Sequence, residues 1–554
     1  MAFNFMSKVA INKPRHSNQD LSNTNFLSFD FGQLVPFHAY ETIPNSYFHM
    51  ESNYQILAAP MVAPQLSRCN VFMYWFYFPY RCMCRDWDEQ MRGGKDGDLV
   101  VDAPYIALTP AQYEEWIAAD GSLGDYLGFP KEYYVESDGK VHVNAFPFSI
   151  YNCIYNNYFK DARIDEESPW ELHSGLNTFS EFDLQNGGPF RSPLQEFTRL
   201  KMSCWEKDYF TAALQHAQAG SQPVKLPMSG DAQITFDNRG GTSTFDSMDK
   251  VYLRGSGTDQ NPAGTVQEYS RLGAAGEGRN PKGLANENMT TPLAYDNSAH
   301  LKVDLSNVNA ATINDLRWAM SLQKFLELAN LTGPRPYEFW KGMFGTAPTD
   351  LRLQLPHAIS HSIAPLDMSE VLQNSASTEN SPLGTPAGRA SGFGVNGGFG
   401  KYFVQEYGII MGFIRVMPRT AYQQGLPRWL FPHRTRDDFY FPQFDMLGEQ
   451  PIYTREIYGS AAPDKQFGYL PAFSHYRTKV SEVHGDFRSS LDKWHMGRIF
   501  ENEPTLNSEF IHYDPDNAER IFAVTDHDYN KLWCKISNKF YAKLPMSKTG
   551  MPTF

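Results

Sequence analysis

Between Arg68 and Arg81 the chain holds an uncharged run, Asn70-Val71-Phe72-Met73-Tyr74-Trp75-Phe76-Tyr77-Phe78-Pro79-Tyr80, dominated by aromatic rings. It is far shorter than the ~20 apolar residues that span a bilayer. A segment that is apolar at nearly every position, rather than at every second one, has no face to give to water, so the run predicts a strand covered on both sides. The whole chain supports such a layered arrangement. Its 554 residues include 40 Phe, 30 Tyr and 10 Trp, and 42% of them are hydrophobic, enough for a sizeable core and against a disordered chain. Aromatic residues favour pleated, half-buried surfaces and contact areas. At ~150 residues per domain this length allows three or four domains, or one β-rich domain with long insertions.

The rest of the chain reads as short strands with few helices. Phe26 to Tyr40 alternates loosely and carries Gly32 and Pro36, which suits an edge strand or a bulge. Tyr402 to Val416 and Phe439 to Phe444 also read as strand-like. Thr109, Pro110 and Gln112 form a capping-box start, with Asp120-Gly121 as the stop. Thr312 to Asp315 starts a second helix in which Leu316, Ala319, Leu322, Leu326 and Ala329 recur at helical spacing, ending before Gly333-Pro334. Scattered helices among many strands favour a β-sandwich with enlarged loops over an alternating α/β fold. Two stretches are rich in glycine: 10 of 54 residues in 230–283, read as an insertion with little core, and 7 of 17 in 384–400, read as a flexible loop. No repeat of solenoid length is evident.

Charge is segregated. Residues 1–19 carry +3 through Lys8, Lys13 and Arg15, residues 531–554 carry +5, and the net of −13 therefore leaves −21 between them. Basic ends on an acidic body suit contact with a polyanion. Lys531, Lys535, Lys539 and Lys543 lie four apart, on one side of a strand or of a helix, interleaved with Trp533, Phe540 and Tyr541. Lysines among aromatic platforms are what sequence-tolerant binding of single-stranded nucleic acid uses; the plain alternative is a last strand with its lysines in water. These lysines, with Lys8, Lys13 and Arg15, are the candidates for facing a nucleic acid.

Other motifs lead to no catalytic, cofactor or metal site. Gly392-Phe393-Gly394-Val395-Asn396-Gly397 fits a dinucleotide-binding pattern but lacks the preceding strand and following helix. His357 and His361 have metal-ligand spacing but no Glu after His357, and prolines at 356 and 365 mark them as loop histidines. Cys82 and Cys84 lack the other two ligands of a zinc site, and six unpatterned cysteines read as reduced thiols in a cytosolic assembly environment. No nucleophile elbow or phosphate-binding loop is present. A glycosidase carboxylate pair is assembled only in three dimensions, so a carbohydrate-active β-sandwich protein, a glycoside hydrolase or lectin, stays as the rival. The first residues hold no apolar segment of signal-peptide length, so secretion by that route is not expected.

Several ordered segments resemble the major capsid protein of microviruses, small single-stranded-DNA bacteriophages, especially the gokushovirus-like and related branches. They are Thr420-Ala421-Tyr422-Gln423-Gln424-Gly425, Asp438-Phe439-Tyr440-Phe441-Pro442, Leu447-Gly448-Glu449-Gln450 and Glu456-Ile457-Tyr458. Phe467-Gly468-Tyr469, Trp494-His495 and Pro504-Thr505-Leu506-Asn507 continue the likeness, as do Leu34-Val35-Pro36, Phe78-Pro79-Tyr80-Arg81 and Asn314-Asp315-Leu316-Arg317 earlier. Asn45-Ser46 departs from the Gly-Asp usual there, and the insertion at 225–305 does not align.

The resemblance implies a mainly β fold, an eight-stranded viral jelly-roll β-sandwich with long loop and helical insertions. The charge pattern marks a basic arm at 1–24 ahead of a single capsid domain at 25–554, and its core strands are expected mainly from 20–90 and 400–545, where strand-like texture concentrates. The glycine-rich 225–305 matches in position the three-fold protrusions of gokushovirus-like particles and is expected at the surface, facing a host receptor. Such a subunit would build an icosahedral T=1 shell of sixty copies, with pentamers as building units, around circular single-stranded DNA. Its implied partners are a small basic DNA-binding protein, a pilot protein and an internal scaffolding protein; its place is the virion, assembled in the host cytoplasm. No enzyme activity or cofactor is expected.

Overall fold

A computed structural model describes residues 16–84, 86–92, 103–172, 193–220, 313–332, 335–346, 354–372, 386–432, 435–444, 448–515, 520–524 and 529–548, with six short strands between 233 and 304. Chain contacts divide the protein into two units, one of Met1–Ser221 with Glu327–Phe554 and one of Gln222–Leu326. In the second unit, the described strands form two three-stranded antiparallel sheets, Val251–Gly255 with Val266–Tyr269 and Leu293–Tyr295, and Gln233–Asn238 with Gly241–Ser243 and Leu301–Asp304.

The first unit is built on one antiparallel sheet. Its strands are β1 (Ser17–Asp20), β2 (Asn23–Phe29), β3 (Val35–Thr42), β4 (Ser46–Ala58), β5 (Cys69–Pro79), β6 (His357–Leu372), β7 (Pro386–Val404), β8 (Gly408–Pro418) and β9 (Leu532–Leu544). The order is β1-β9-β4-β7-β6-β5-β8-β3, with β2 also on β9. The sheet is curled. β6 pairs with β5 along His357–Leu366 and with β7 along Asp367–Leu372, so it passes from one half to the other. The two halves then face each other: Trp75 of β5 stacks 6.0 Å from Phe540 of β9, His38 of β3 lies 4.8 Å from the same ring, and Tyr40 of β3 meets Phe48 of β4 at 5.7 Å. Apolar burial between the halves, with Phe37, Met50, Ile56 and Met73, is the main stabilising term of the fold.

β5 is the aromatic run, and it is buried on both faces. Cys69, Val71, Met73 and Trp75 enter the core inside the curl, while Phe76 and Phe78 enter a second core with Met411 and Phe413 of β8 and the helix Phe146–Ile154. The capping box on Thr109 forms and starts a helix at Pro110, though the helix ends at Trp116, short of Asp120. Ile313–Thr332 is helical and ends before Gly333; Thr312 lies outside the described residues. Phe26 to Tyr40 is two strands separated by a turn in which Gly32 takes a φ of +81°, and β3 is an edge whose ladder shifts register between Gly412 and Phe413, opposite Pro36. Asn45 takes φ +66°, the left-handed conformation that glycine and asparagine tolerate, which accounts for Asn where the resemblance has Gly.

Three local readings are corrected. The glycine-rich 386–400 is strand, not loop: it lies within β7, paired with β4 and β6. Its glycines make room for neighbouring side chains, since a Cβ on Gly394 would lie 2.4 Å from the Tyr54 ring and one on Gly392 would lie 2.9 Å from Leu366. His357 and His361 are on β6 rather than in a loop, because pairing with β5 overrides the flanking prolines. Phe439–Phe444 is not a strand: 439–441 is irregular chain between two 3-10 turns, Arg436–Asp438 and Pro442–Phe444. The sheet also draws β6 and most of β7 from 357–399, between the two stretches expected to supply most core strands. All six cysteines are free thiols.

Candidate nucleic-acid interface

β9 reads L-W-C-K-I-S-N-K-F-Y-A-K-L, and its burial alternates at nearly every step. Period-two alternation sends Leu532, Cys534, Ile536, Phe540, Ala542 and Leu544 into the core and turns Trp533, Lys535, Lys539, Tyr541 and Lys543 outward. Asn538, the polar residue on the inward side, is satisfied there by Ser52 at 2.7 Å and by Asn23 at 3.2 Å. Two members of the expected set do not join this face. Phe540 is fully buried and holds the core together. Lys531 lies before the strand and is buried, its ammonium donating to the Tyr529 carbonyl at 2.8 Å and its backbone N–H to Asp30 at 2.7 Å. The four-residue spacing that joined it to Lys535 therefore did not carry over to a shared surface. Lys8, Lys13 and Arg15 lie outside the described residues.

Sheet register adds neighbours that the sequence did not reveal. One row across four strands runs Phe26, Lys535, Gln55 and Phe393; another runs Asn18, Lys543, Tyr47 and Phe403. Phe26 is 77% exposed, Trp533 48% and Tyr541 46%, so these rings present faces to solvent. The Lys535 ammonium sits 5.9 Å from the Phe26 ring centre and that of Lys543 6.0 Å from Tyr47, within the range of cation–π attraction. Lys539 instead pairs with Glu51 at 2.9 Å, and that hydrogen bond raises its pKa above the ordinary lysine value. Asp20 is the other carboxylate on these strands; its hydrogen bonds with Ser22 lower its pKa. Three lysines against two carboxylates leave little net charge on β1, β2, β4 and β9. The face is therefore chiefly an aromatic platform with lysines set among the rings, suited to stacking planar groups and neutralising a few phosphates. Its aromatic partners come from segments distant in sequence, and only strand pairing brings them together.

The family described as Capsid protein (F protein) matches residues 7–554. Capsid protein VP1 of Bdellovibrio phage phiMH2K is 31% identical over 553 residues, which cover 97% of this chain and 96% of that protein. Capsid protein VP1 of Chlamydia phage 1 is 28% identical, covering 94% and 93%, and capsid protein VP1 of Spiroplasma virus 4 is 26% identical, covering 90% and 88%. These matches run through nearly the whole chain and give no support to the carbohydrate-active rival. The chain belongs to the microvirus capsid protein (F protein) family, a structural component of the virion and not an enzyme.

Proposed function

We propose that the curled sheet is the jelly roll of a major capsid subunit, sixty copies of which form a T=1 icosahedral shell around circular single-stranded DNA, with the outward face of β9 and its neighbours turned to the genome. The observation that carries the DNA contact is the set of rows in which Lys535 and Lys543 sit beside the exposed rings Phe26 and Tyr47, with Tyr541 between these rows and Trp533 just beyond Lys535 on the same face. Bases stack on such rings whatever their identity, and ammonium groups meet phosphate without reading sequence. The basic segment with Lys8, Lys13 and Arg15, which precedes β1 in the sequence, would add charge; the arm expected at 1–24 is shorter than that, because Ser17–Asp20 and the start of Asn23–Phe29 are strands of the sheet. Because the face itself has little net charge, the small basic DNA-binding protein that the resemblance implies would supply most of the countercharge. Pentamers, the pilot and internal scaffolding proteins, and assembly in the host cytoplasm belong to the same reading, as does a surface role for 225–305 in three-fold protrusions that meet the host.

The test is Lys535→Gln, Lys539→Gln and Lys543→Gln together in purified particles, with DNA retention measured against salt. Each single-strand phosphate contact contributes about 0.7 to the slope of log K on log salt, so losing three should flatten it by about 2. A second variant, Trp533→Ala with Tyr541→Ala, should weaken retention at all salts, by about 1–3 kcal/mol for each unstacked base. Unchanged retention in both variants would overturn the inward placement of this face.

A further inference from the structure

We infer that Asp165, Cys204 and His512 form a binding site for a zinc-like divalent transition-metal ion. The three residues come from distant parts of the chain, and their ligand atoms all lie within 4.8 Å of one another. His512 Nε2 is 3.6 Å from Asp165 Oδ2, and Cys204 Sγ is 3.9 Å from the same oxygen. Tetrahedral zinc with bonds of about 2.0–2.3 Å sets its ligand atoms about 3.3–3.6 Å apart, so these two separations need to close by only a few tenths of an ångström.

The backbone holds the cluster in place. Cys204 and His512 are partners in an isolated antiparallel bridge, flanked by hydrogen bonds from Trp205 N–H to the Ile511 carbonyl at 2.9 Å and from Tyr513 N–H to the Ser203 carbonyl at 3.1 Å. Asp165 is held by a turn in which its N–H donates to the Asp161 carbonyl at 2.9 Å, while Asp161 N–H donates to Asp165 Oδ2 at 3.0 Å. The His512 ring is oriented as well: Nδ1 lies 2.9 Å from the Ser508 carbonyl, and a proton donated there leaves Nε2, 3.6 Å from the carboxylate, as the nitrogen with a lone pair to offer. Metal-bound histidines are positioned by the same kind of contact through their other nitrogen.

A second observation points to a ligand. The Asp165 side chain is only 6% exposed, yet its Oδ1 has no hydrogen-bond partner. A buried carboxylate oxygen left unpaired is costly, and a cation beside it removes that cost. The donor set indicates which cation. Thiol and imidazole suit zinc and its neighbours, whereas calcium and magnesium take oxygen ligands. Binding has an opposing term, since burial and the Asp165 charge push the Cys204 thiol up to about 12. A bound dication offsets this by stabilising the thiolate, and the thiol proton leaves to solvent. The Tyr155 hydroxyl, now 2.8 Å from His512 Nε2, must turn aside when the ion takes that lone pair. The ion would tie the 161–165 turn and the segment around Cys204 to the end of the helix Ser508–Ile511.

The probe is Co²⁺ added to the full chain after treatment with chelator, read by the near-ultraviolet thiolate-to-cobalt absorption and by competition with Zn²⁺. One Co²⁺ per chain is expected, displaced by Zn²⁺. Cys204→Ser should abolish the band, and Asp165→Asn and His512→Gln should each weaken binding more than tenfold. Cys82→Ser, at a half-buried thiol outside the cluster, should leave the band intact. Should Cys204→Ser misfold, thermal unfolding decides: Zn²⁺ should raise the midpoint of the unaltered chain and not that of Asp165→Asn. No band in the unaltered chain, a band that survives Cys204→Ser, or an equal rise with Asp165→Asn would overturn the site.

Discussion

Replacing Gly394 with alanine tests whether the glycine-rich stretch is a strand for the reason given. In an exposed flexible loop, Gly→Ala reduces the freedom of the unfolded chain and stabilises by about 0.4–1 kcal/mol. The structure reverses the sign. A Cβ at Gly394 would stand 2.4 Å from Cε1, Cζ and Oη of Tyr54, where carbon atoms pack at about 3.5–4.0 Å, so the ring would have to retreat by about 1 Å or more. Tyr54 is buried in the main core and paired through β4 to both β7 and β9, so it cannot retreat freely. Overpacking of this kind costs about 1–3 kcal/mol. Tyr54→Leu removes the atoms in conflict at its own packing cost. In that background Gly394→Ala should be nearly neutral, giving a coupling between the sites of about 1–3 kcal/mol. Urea unfolding of the four full-length chains, followed by tryptophan fluorescence, measures the cycle. Stability of Gly394→Ala at or above that of the unaltered chain, or an equal loss in both backgrounds, would refute the argument.

Phe540→Ala should destabilise the chain by about 3–5 kcal/mol, because that ring joins the two halves of the curled sheet, whereas Trp533→Ala on the exposed side of β9 should leave stability nearly unchanged; the same urea assay reads both. Glu449 is held by burial at a pKa of about 8, both of its carboxylate oxygens lacking a hydrogen-bond partner, with Glu327 pushing it up and Arg163 opposing. A carboxyl whose folded pKa is raised contributes stability below its unfolded pKa and loses it as pH rises through the folded one. Stability should therefore fall between about pH 4.5 and 8, and Glu449→Gln should flatten that fall when unfolding is followed across this range. Thr109→Ala should cost about 1 kcal/mol by removing the capping bond to the Gln112 N–H, read as lower helical protection in hydrogen exchange over Pro110–Trp116.

The exposed rings on the sheet change the balance of the DNA-binding argument. Terminal lysines stood out in the sequence because charge is countable along a chain, while the three rings interleaved with them read alike as stacking platforms. In the folded protein Phe540 is core, but Trp533 and Tyr541 are not, and Phe26, Tyr47 and Phe403 join them from other strands. The lysines lose part of their excess to Glu51 and Asp20. In the proposed DNA contact, stacking would thus be the larger contribution from this face.

What the sequence determined by itself is whatever a local pattern reports about its own segment. An unbroken aromatic run became a strand buried on both faces, a capping box started a helix at Pro110, and the β9 alternation required three lysines to share a side. Family membership was legible for a related reason, since ordered matches through the chain do not depend on knowing which segments touch. Tertiary structure decided everything that rests on which strand lies beside which. The glycines of β7 read as a loop because glycine has low strand propensity, yet Tyr54 and Leu366 fill the space those missing side chains leave, and pairing with β4 and β6 supplies the hydrogen bonds. Lys531 left its expected row because the strand begins one residue after it. Asp165, Cys204 and His512 carry no spacing signal at all; a backbone bridge between remote segments places two of them opposite each other, and a turn presents the third.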